Sequence, residues 1–353
     1  MIPISYSIAE EQMESMIHKY PPPTFETETA SFTLEDTEKG TAVSTYVLIN
    51  DFELRRTKTN KKFLKLSFSN PAGNIPAKMW DNDGEIEQYI PMLESTGVFH
   101  IRGQVDEFNG FKSVTVYDLS PSKEAINPAL LLASTNQDIH QLSEELFAYL
   151  LELDEPYQAL SFQLLDLFWD SFSTSPAAKG IHHHYLGGLL KHTVGLMRFC
   201  RYITKQEENP FQAVMRLILQ VEKQYKVEIW EALKSDEDNH RFVWKDTIDH
   251  LYNMLHGMSE YKYDPIDYSA LITSILFHDI GKLAEYNYAG RKDDFFSYLY
   301  PNAHFEENRQ VQSGISMDSL GVMVGHIPYG ILILNKIVND HEIRLSMEKI
   351  HLI

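Results

Sequence analysis

Two neighbouring segments decide the fold: KFLKLSF at residues 62–68 and NIPAKMW at residues 74–80. In both, every second residue is apolar, which is the period-two pattern of a β-strand with one buried face. We expect one face to carry only apolar side chains, namely Leu64, Leu66, Phe68, Ile75, Ala77 and Met79. The opposite face then carries Phe63, Lys65, Ser67, Pro76, Lys78 and Trp80.

Three further segments, at residues 43–49, 97–105 and 111–117, show the same alternation. A short helix is predicted over residues 84–93, between the third and fourth strands. Asn109-Gly110 joins the last two strands and is a strong hairpin signal. Five antiparallel strands with one helix after the third match the order of an OB-fold barrel. Another small barrel or sandwich is the alternative.

After Pro121 the pattern becomes helical, so the predicted fold class is α+β multidomain, an OB-fold barrel followed by an all-α domain. The predicted helices include one over residues 320–335 and one from residue 343 to the end. The predicted organisation is an acidic N-terminal arm at 1–40, the barrel at 41–121, a linker at 122–137 and the helical domain at 138–353. The arm is expected to be a solvated tail or a small docking element.

Composition narrows the function classes. The 353 residues carry a net charge of −19, yet residues 51–80 hold seven basic and two acidic side chains, a local charge of +5. The single cysteine, Cys200, excludes a disulfide scaffold and fits a reducing compartment. No signal peptide and no membrane-spanning stretch is visible, so we expect a cytoplasmic protein without a membrane partner.

The basic strip coincides with the mixed face of the predicted barrel. Aromatic rings for base stacking and ammonium groups for phosphates are what a single-stranded nucleic-acid platform requires. A solvated barrel face with its aromatics under the flanking helix is the alternative. The candidate nucleic-acid-binding residues are Arg56, Lys58, Phe63, Lys65, Lys78, Trp80, Phe108 and Phe111.

Three histidines lie in settings that favour a metal site over a surface role. His278-Asp279 closes an apolar helix predicted over residues 268–278, and a carboxylate placed there needs a compensating charge. His192 lies on the apolar stripe of another predicted helix, where a satisfied core histidine is the alternative. His326 follows Gly325 further along the chain.

These motifs together resemble a known family. GGLLKHT at residues 187–193 followed by HDIGK at 278–282 is similar to the HD superfamily of metal-dependent phosphohydrolases. With IHHHYL at 181–186, GHI at 325–327 and AKMWD at 77–81 within a barrel, the chain resembles the YhaM-type 3′–5′ exoribonucleases. The resemblance covers roughly residues 42–205 and 265–353.

The resemblance implies a role for each matching position. His192, His278 and Asp279 would be metal ligands, with Mn²⁺ the expected ion and Mg²⁺, Co²⁺ or Fe²⁺ as alternatives. His326 would serve a second metal or the scissile phosphate, and Lys282 would steady the charge of the phosphate. His183 and His184 either border the phosphate site or belong to a helix entry. The implied activity is 3′–5′ exonuclease action on single-stranded RNA, with single-stranded DNA as the alternative substrate.

The chain departs from the family pattern in two places. Residues of about 205–264 form an insertion, predicted to be a helical lobe that caps the site or mediates homo-oligomer assembly. The chain ends at Ile353 inside a predicted helix, so we expect the last helices and a final aspartate ligand to be missing. Two alternatives to the nuclease therefore stay open: a non-catalytic single-strand-binding factor with a structural HD domain, and an HD-type nucleotide phosphohydrolase.

Overall fold

The computed structural model describes residues 2, 4–25, 32–82, 84–178, 184–206, 209–234, 244–304 and 314–353. Its N-terminal part is a closed five-stranded barrel with the strand order β1-β2-β3-β5-β4. The strands are β1 (Ala42–Arg56), β2 (Lys62–Asn70), β3 (Gly73–Trp80), β4 (Val98–Phe108) and β5 (Phe111–Pro121). A 3₁₀ turn at Ile86–Tyr89 and helix α2 (Ile90–Ser95) lie between β3 and β4. The predicted OB-type barrel is confirmed.

The alternation seen in the sequence determines which side chains fill the barrel interior. Leu64 and Phe68 on β2 are fully buried, and Ile75 on β3 is almost fully buried. At the turn between β4 and β5, Asn109 and Gly110 both have positive φ, 51° and 76°. This is the conformation that a two-residue hairpin turn with Asn-Gly adopts, and it pairs Phe108 with Phe111.

Strand β1 extends further than predicted. It continues through Arg56, and its pairing with β2 shifts register between Ile49 and Asp51. Such a bulge bends a strand and re-aims the side chains that follow it. Arg55 and Arg56 therefore lie on a strand of the barrel beside Phe63 and Lys62, with which they pair.

The rest of the chain is mainly helical. The helices are α1 (Glu10–Lys19), before the barrel, and then α3 (Ile139–Leu151), α4 (Tyr157–Thr174), α5 (Gly188–Arg201), α6 (Pro210–Lys234), α7 (Trp244–Met258), α8 (Tyr268–Phe277), α9 (Lys282–Glu285), α10 (Asp294–Leu299), α11 (Ser319–Val324), α12 (His326–Asp340) and α13 (Met347–Leu352). Short 3₁₀ and π segments lie at Pro128–Leu131 and Tyr202–Gln206. No helix among the described residues is both long enough and apolar enough to cross a bilayer.

The predicted helix over residues 320–335 is wrong as a single element. It is broken into α11 and α12 at Gly325, whose φ is +86°. A residue in this conformation cannot continue a right-handed helix, and glycine adopts it without a steric penalty. The break places His326 at the first position of α12, which matters for the site described below.

The N-terminal arm is packed against the helical part. Met13 of α1 and Tyr20 join its apolar core. The Tyr20 hydroxyl donates to Asp166 at 2.6 Å, and the Trp169 indole donates to the carbonyl of Pro21 at 2.8 Å. Of the two expectations for the arm, these contacts support the docking element.

A small apolar cluster, separate from the two cores, joins the barrel to the helical part. Leu48 and Val98 of the barrel pack there with Tyr286, Tyr288 and Ile315. Tyr286 belongs to a two-residue strand, β6 (Tyr286–Asn287), which pairs with β7 (Ser316–Met317). The junction is close, because the backbone N–H of Gly314 donates to the carbonyl of Ile49 at 2.7 Å.

Candidate metal centre and nucleic-acid face

Helices α5 and α8 pack against each other and bring the His-Asp constellation together. α5 buries Leu189 and Val194 and carries His192 between them. α8 is a buried apolar helix that ends at Phe277, so His278 and Asp279 follow directly where it stops. Two core helices thus supply three polar side chains at one point.

The three side chains meet through their functional atoms. Nε2 of His192 and Nε2 of His278 each lie 3.2 Å from Oδ2 of Asp279. The two ring nitrogens are 3.3 Å apart. Nδ1 of His278 is 2.6 Å from the carbonyl oxygen of Ile275, a contact that orients the ring. One potential ligand atom from each residue therefore faces a common point.

This arrangement fits a single divalent ion. First-row metal ions bind imidazole nitrogen and carboxylate oxygen at about 2.0–2.2 Å, which places neighbouring ligand atoms roughly 3.0–3.4 Å apart. The observed separations of 3.2–3.3 Å fall in that interval. Two imidazoles and one carboxylate are also a donor set that suits such ions. The cluster of His192, His278 and Asp279 could hold a metal ion.

Asp279 is the electrostatic centre of the cluster. Its side chain is buried, and the ammonium of Lys282 lies 2.7 Å from Oδ2, one helical turn away. Burial opposes ionisation, but the hydrogen bonds from His192, His278 and Lys282 outweigh it, so the pKa of Asp279 lies well below its usual range. The carboxylate is therefore charged at neutral pH and available to a cation.

His326 lies on the other side of the same carboxylate. Its Nε2 is 4.0 Å from Oδ1 of Asp279, and its Nδ1 is held by Glu285 at 2.9 Å. Gly281 makes this approach possible, because a Cβ at that position would lie 1.9 Å from the carbonyl oxygen of His326. The sequence motifs at 278–282 and 325–327 are thus in direct contact. Glu285 was not predicted from the sequence, although it lies only three residues beyond Lys282.

Two further acidic side chains of the helical part pair with basic residues and do not join the cluster. Asp318 is buried, caps α11 and pairs with Arg291 at 2.9 Å, while Asp340 pairs with Lys336 at 2.9 Å. Neither joins the three ligand-type residues that meet among the described residues. His183 lies outside the described residues. The Nδ1 atom of His184 is 3.2 Å from the carbonyl oxygen of Ala178.

On the barrel, the mixed face has the predicted composition. Phe63 and Trp80 are cross-strand partners with ring centroids 5.1 Å apart, and both are half-buried. The next outward pair is Lys65 with Lys78. The ammonium of Lys61, which was not selected from the sequence, lies 5.3 Å from the Trp80 ring centre. The strands therefore place aromatic rings and lysines side by side on one outer face.

Nearby acidic side chains partly neutralise the basic residues on and beside this face. Lys78 pairs with Asp106 at 2.6 Å, and Lys62 pairs with Glu87 at 2.7 Å. Arg56 donates to the side chain of Asn60 at 2.9 Å. Lys58 and Lys65 are exposed and make no ion pair with any acid in the described part of the chain. Within that part, Lys65 and Lys61, which also makes no ion pair, are thus cations close to the aromatic pair that are available to a phosphate.

The hairpin tip adds a second aromatic group. Phe108 and Phe111 are 74% and 78% exposed, far more than a ring that packs in a barrel. Tyr117 on β5, a residue that the sequence did not single out, is also exposed and donates to Gln104 at 2.9 Å. Both phenylalanine rings are therefore exposed to solvent at the tip of the hairpin.

The fold and site together define a class: a five-stranded barrel joined to a helical part whose His-Asp cluster could hold a metal ion. No family model matches the chain. It is similar to the 3′-5′ exoribonuclease YhaM of Listeria welshimeri, with 23% identity over 174 residues, covering 48% of this chain and 55% of the relative. The YhaM of Shouchella clausii is 27% identical over 162 residues, covering 45% and 50%. The resemblance predicted from the motifs is confirmed.

The chain spans about half the length of the curated relatives it matches. Among solved structures, the mitochondrial single-stranded DNA binding protein Rim1 of S. cerevisiae is 17% identical and covers 23% of this chain and 95% of its own. A replication protein A heterotrimer bound to ssDNA is 16% identical, with 33% and 80% covered. Both have a TM-score of 0.20, a level from which no functional conclusion follows.

Proposed function

We propose that this protein is a metal-dependent 3′–5′ exonuclease that hydrolyses phosphodiester bonds of single-stranded RNA, with single-stranded DNA as the alternative substrate. The observation that carries the proposal is the cluster of His192, His278 and Asp279, with Lys282 beside it, in a chain similar to YhaM exoribonucleases. The barrel, with its aromatic and basic face, is proposed to guide the strand to this cluster.

Each side chain has a proposed role. His192, His278 and Asp279 hold the ion, for which Mn²⁺ is our proposal. A divalent ion bound there would polarise a phosphoryl oxygen and lower the pKa of water. Lys282, 2.7 Å from Asp279, orients that carboxylate and offers a positive charge to the phosphate. His326 faces the same carboxylate from its other oxygen and is proposed to contact the scissile phosphate or a second ion.

The barrel is proposed to hold the substrate by stacking and charge rather than by base identity. Ring faces such as Trp80 accept any base, and Lys65 supplies a phosphate contact. A single stacked base contributes about 1–3 kcal/mol to binding. Phe63 and Trp80, which lie side by side, together with the hairpin-tip phenylalanines, provide surface for several bases.

The test is shortening of a 5′-labelled single-stranded RNA by the purified chain with Mn²⁺ present. We expect a ladder of products that begins with loss of the 3′ nucleotide, and no products after chelation of the ion. His192→Ala should abolish the ladder. The matched control is His140→Ala on α3, where an exposed histidine pairs only with Glu144, and this variant should leave the ladder unchanged.

The same assay separates the alternatives. Release of phosphate from mononucleotides without any ladder would support the nucleotide phosphohydrolase. Tight single-strand binding without turnover, tested with Mn²⁺, Mg²⁺, Co²⁺ and Fe²⁺, would support the binding factor. Either result would refute the exonuclease proposal for this chain.

A further inference from the structure

Glu285 is a buried acidic side chain at the end of α9, beside the first residue of α12. Its Oε1 atom accepts a hydrogen bond from the backbone N–H of His326 at 3.1 Å. Both of its carboxylate oxygens also lie within hydrogen-bond distance of Nδ1 of His326, at 3.0 and 2.9 Å. One carboxylate therefore binds both the main chain and the ring of the same histidine.

This contact determines which ring nitrogen of His326 carries a proton. Oε1 of Glu285 already accepts the backbone N–H of His326, so the carboxylate acts as the acceptor here and Nδ1 of the ring is the donor to it. In the Nδ1–H tautomer, Nε2 is the accepting atom of the ring. That atom points toward Oδ1 of Asp279, 4.0 Å away. The ring is thus oriented with its accepting atom toward the candidate metal centre.

We propose that Glu285 is a positioning residue of the site: it fixes the Nδ1–H form of His326 and aims Nε2 at the point where an ion or phosphate binds. The part of this inference that concerns ion and phosphate rests on the proposed function. The part that concerns the ring of His326 rests on the contacts alone. Carboxylate partners of this kind commonly orient histidines at metal sites.

The backbone around Glu285 makes it a rigid support. Its carbonyl accepts the N–H of Asp318 at 2.7 Å, which ties it to the start of α11. Gly321 of α11 packs so closely that a Cβ there would lie 2.7 Å from the Cα of Glu285. A carboxylate on an anchored main chain has little freedom to follow a displaced ring, so the ring follows the carboxylate.

The test is the long-range ¹H–¹⁵N spectrum of histidine-labelled protein, in which protonated and unprotonated ring nitrogens are resolved. His326→Ala identifies the signals of His326. In the wild-type chain, at a pH where the ring is neutral, we expect a protonated Nδ1 and an unprotonated Nε2. Glu285→Ala should shift the ring to a mixture of forms, and Glu285→Asp should do the same because its carboxylate is one methylene too short. Glu285→Gln, whose amide oxygen still accepts, should retain the wild-type form.

Glu144→Ala is the matched control, since it removes the carboxylate partner of the exposed His140 and should leave the His326 signals unchanged. Mn²⁺ affinity or exonuclease rate should fall about 10- to 100-fold in Glu285→Ala. Unchanged His326 signals in a folded Ala or Asp variant would overturn the proposal. If the wild-type chain has no exonuclease activity but its His326 signals respond as described, the proposed function fails and the positioning role stands.

Discussion

Gly281→Ala adds a single methyl group and should have two effects of opposite sign on the stability of the folded protein. Gly281 has φ of −63°, in the right-handed helical region, where Ala normally stabilises a protein by about 0.4–1 kcal/mol through the unfolded state. At this position, however, the new Cβ would lie 1.9 Å from the carbonyl oxygen of His326, where contacts below 3.0 Å are not tolerated. The neighbour is backbone and cannot rotate away, so α9 and α12 must separate by about 1 Å.

We therefore expect Gly281→Ala to destabilise the protein. Overpacking of this kind costs about 1–3 kcal/mol. For a cooperative unit of 150–250 residues, each kcal/mol lowers the melting temperature by about 2–4 °C, so the decrease should be about 2–12 °C. Because His326 moves with the start of α12, the exonuclease rate should also fall, by about 100-fold for a displacement near 1 Å.

The assays are thermal unfolding by circular dichroism and the 5′-labelled RNA ladder. Gly195→Ala in α5 is the matched control, because a Cβ at Gly195 would meet open space, with no neighbouring heavy atom within 4 Å among the described residues. Removing a glycine from a helix interior should stabilise the protein by about 0.5–1 kcal/mol. A Gly281→Ala protein that melts at or above the wild-type temperature would show that the contact between α9 and α12 is looser than the structure has it.

Four further outcomes are expected. Trp80→Ala should weaken single-strand binding by about 10- to 100-fold, measured by fluorescence anisotropy. Lys65→Ala should reduce the slope of the logarithm of the binding constant against the logarithm of the salt concentration by about one, because one phosphate contact is lost. Burial raises the pKa of the Cys200 thiol to about 11, so a maleimide at pH 8 should label it only after unfolding. Burial opposes ionisation of Glu152, but hydrogen bonds led by that from Arg201 outweigh it and lower its pKa. The ionised Glu152 side chain then stabilises the fold at neutral pH, and this stabilisation is lost progressively as the pH falls below about 4.5. In Glu152→Gln, the free energy of unfolding measured with urea should therefore decrease less steeply at acid pH.

The barrel could be predicted because its information is local. Alternation along residues 62–68 and 74–80 shows which side chains face inward, and Asn109-Gly110 fixes the register of its hairpin. The candidate metal centre could be predicted for a different reason: its motifs are short and lie at or near helix ends, even though His192 and His278 are 86 residues apart. In both cases a few adjacent residues carry the signal.

The features that could not be predicted from the sequence depend on contacts between segments far apart in the chain. The ion pair of Lys78 with Asp106 joins two strands 28 residues apart, and no pattern along either strand indicates it. The contact between Glu285 and His326 spans 41 residues and requires the break at Gly325. That break had a local signal, since glycine followed closely by Pro328 is a common end of one helix and start of the next.

The segment from Gly281 to Tyr288 contacts both the candidate metal centre and the apolar cluster at the barrel. Its first half carries Lys282 and Glu285, which contact Asp279 and His326. Its second half supplies Tyr286 and Tyr288 to the apolar cluster on which Leu48 of the barrel packs. Because the two halves are consecutive in the chain, the residue that holds His326 is adjacent to the residues that contact the barrel. We therefore expect a displacement of the barrel at this junction to act on the backbone next to Glu285.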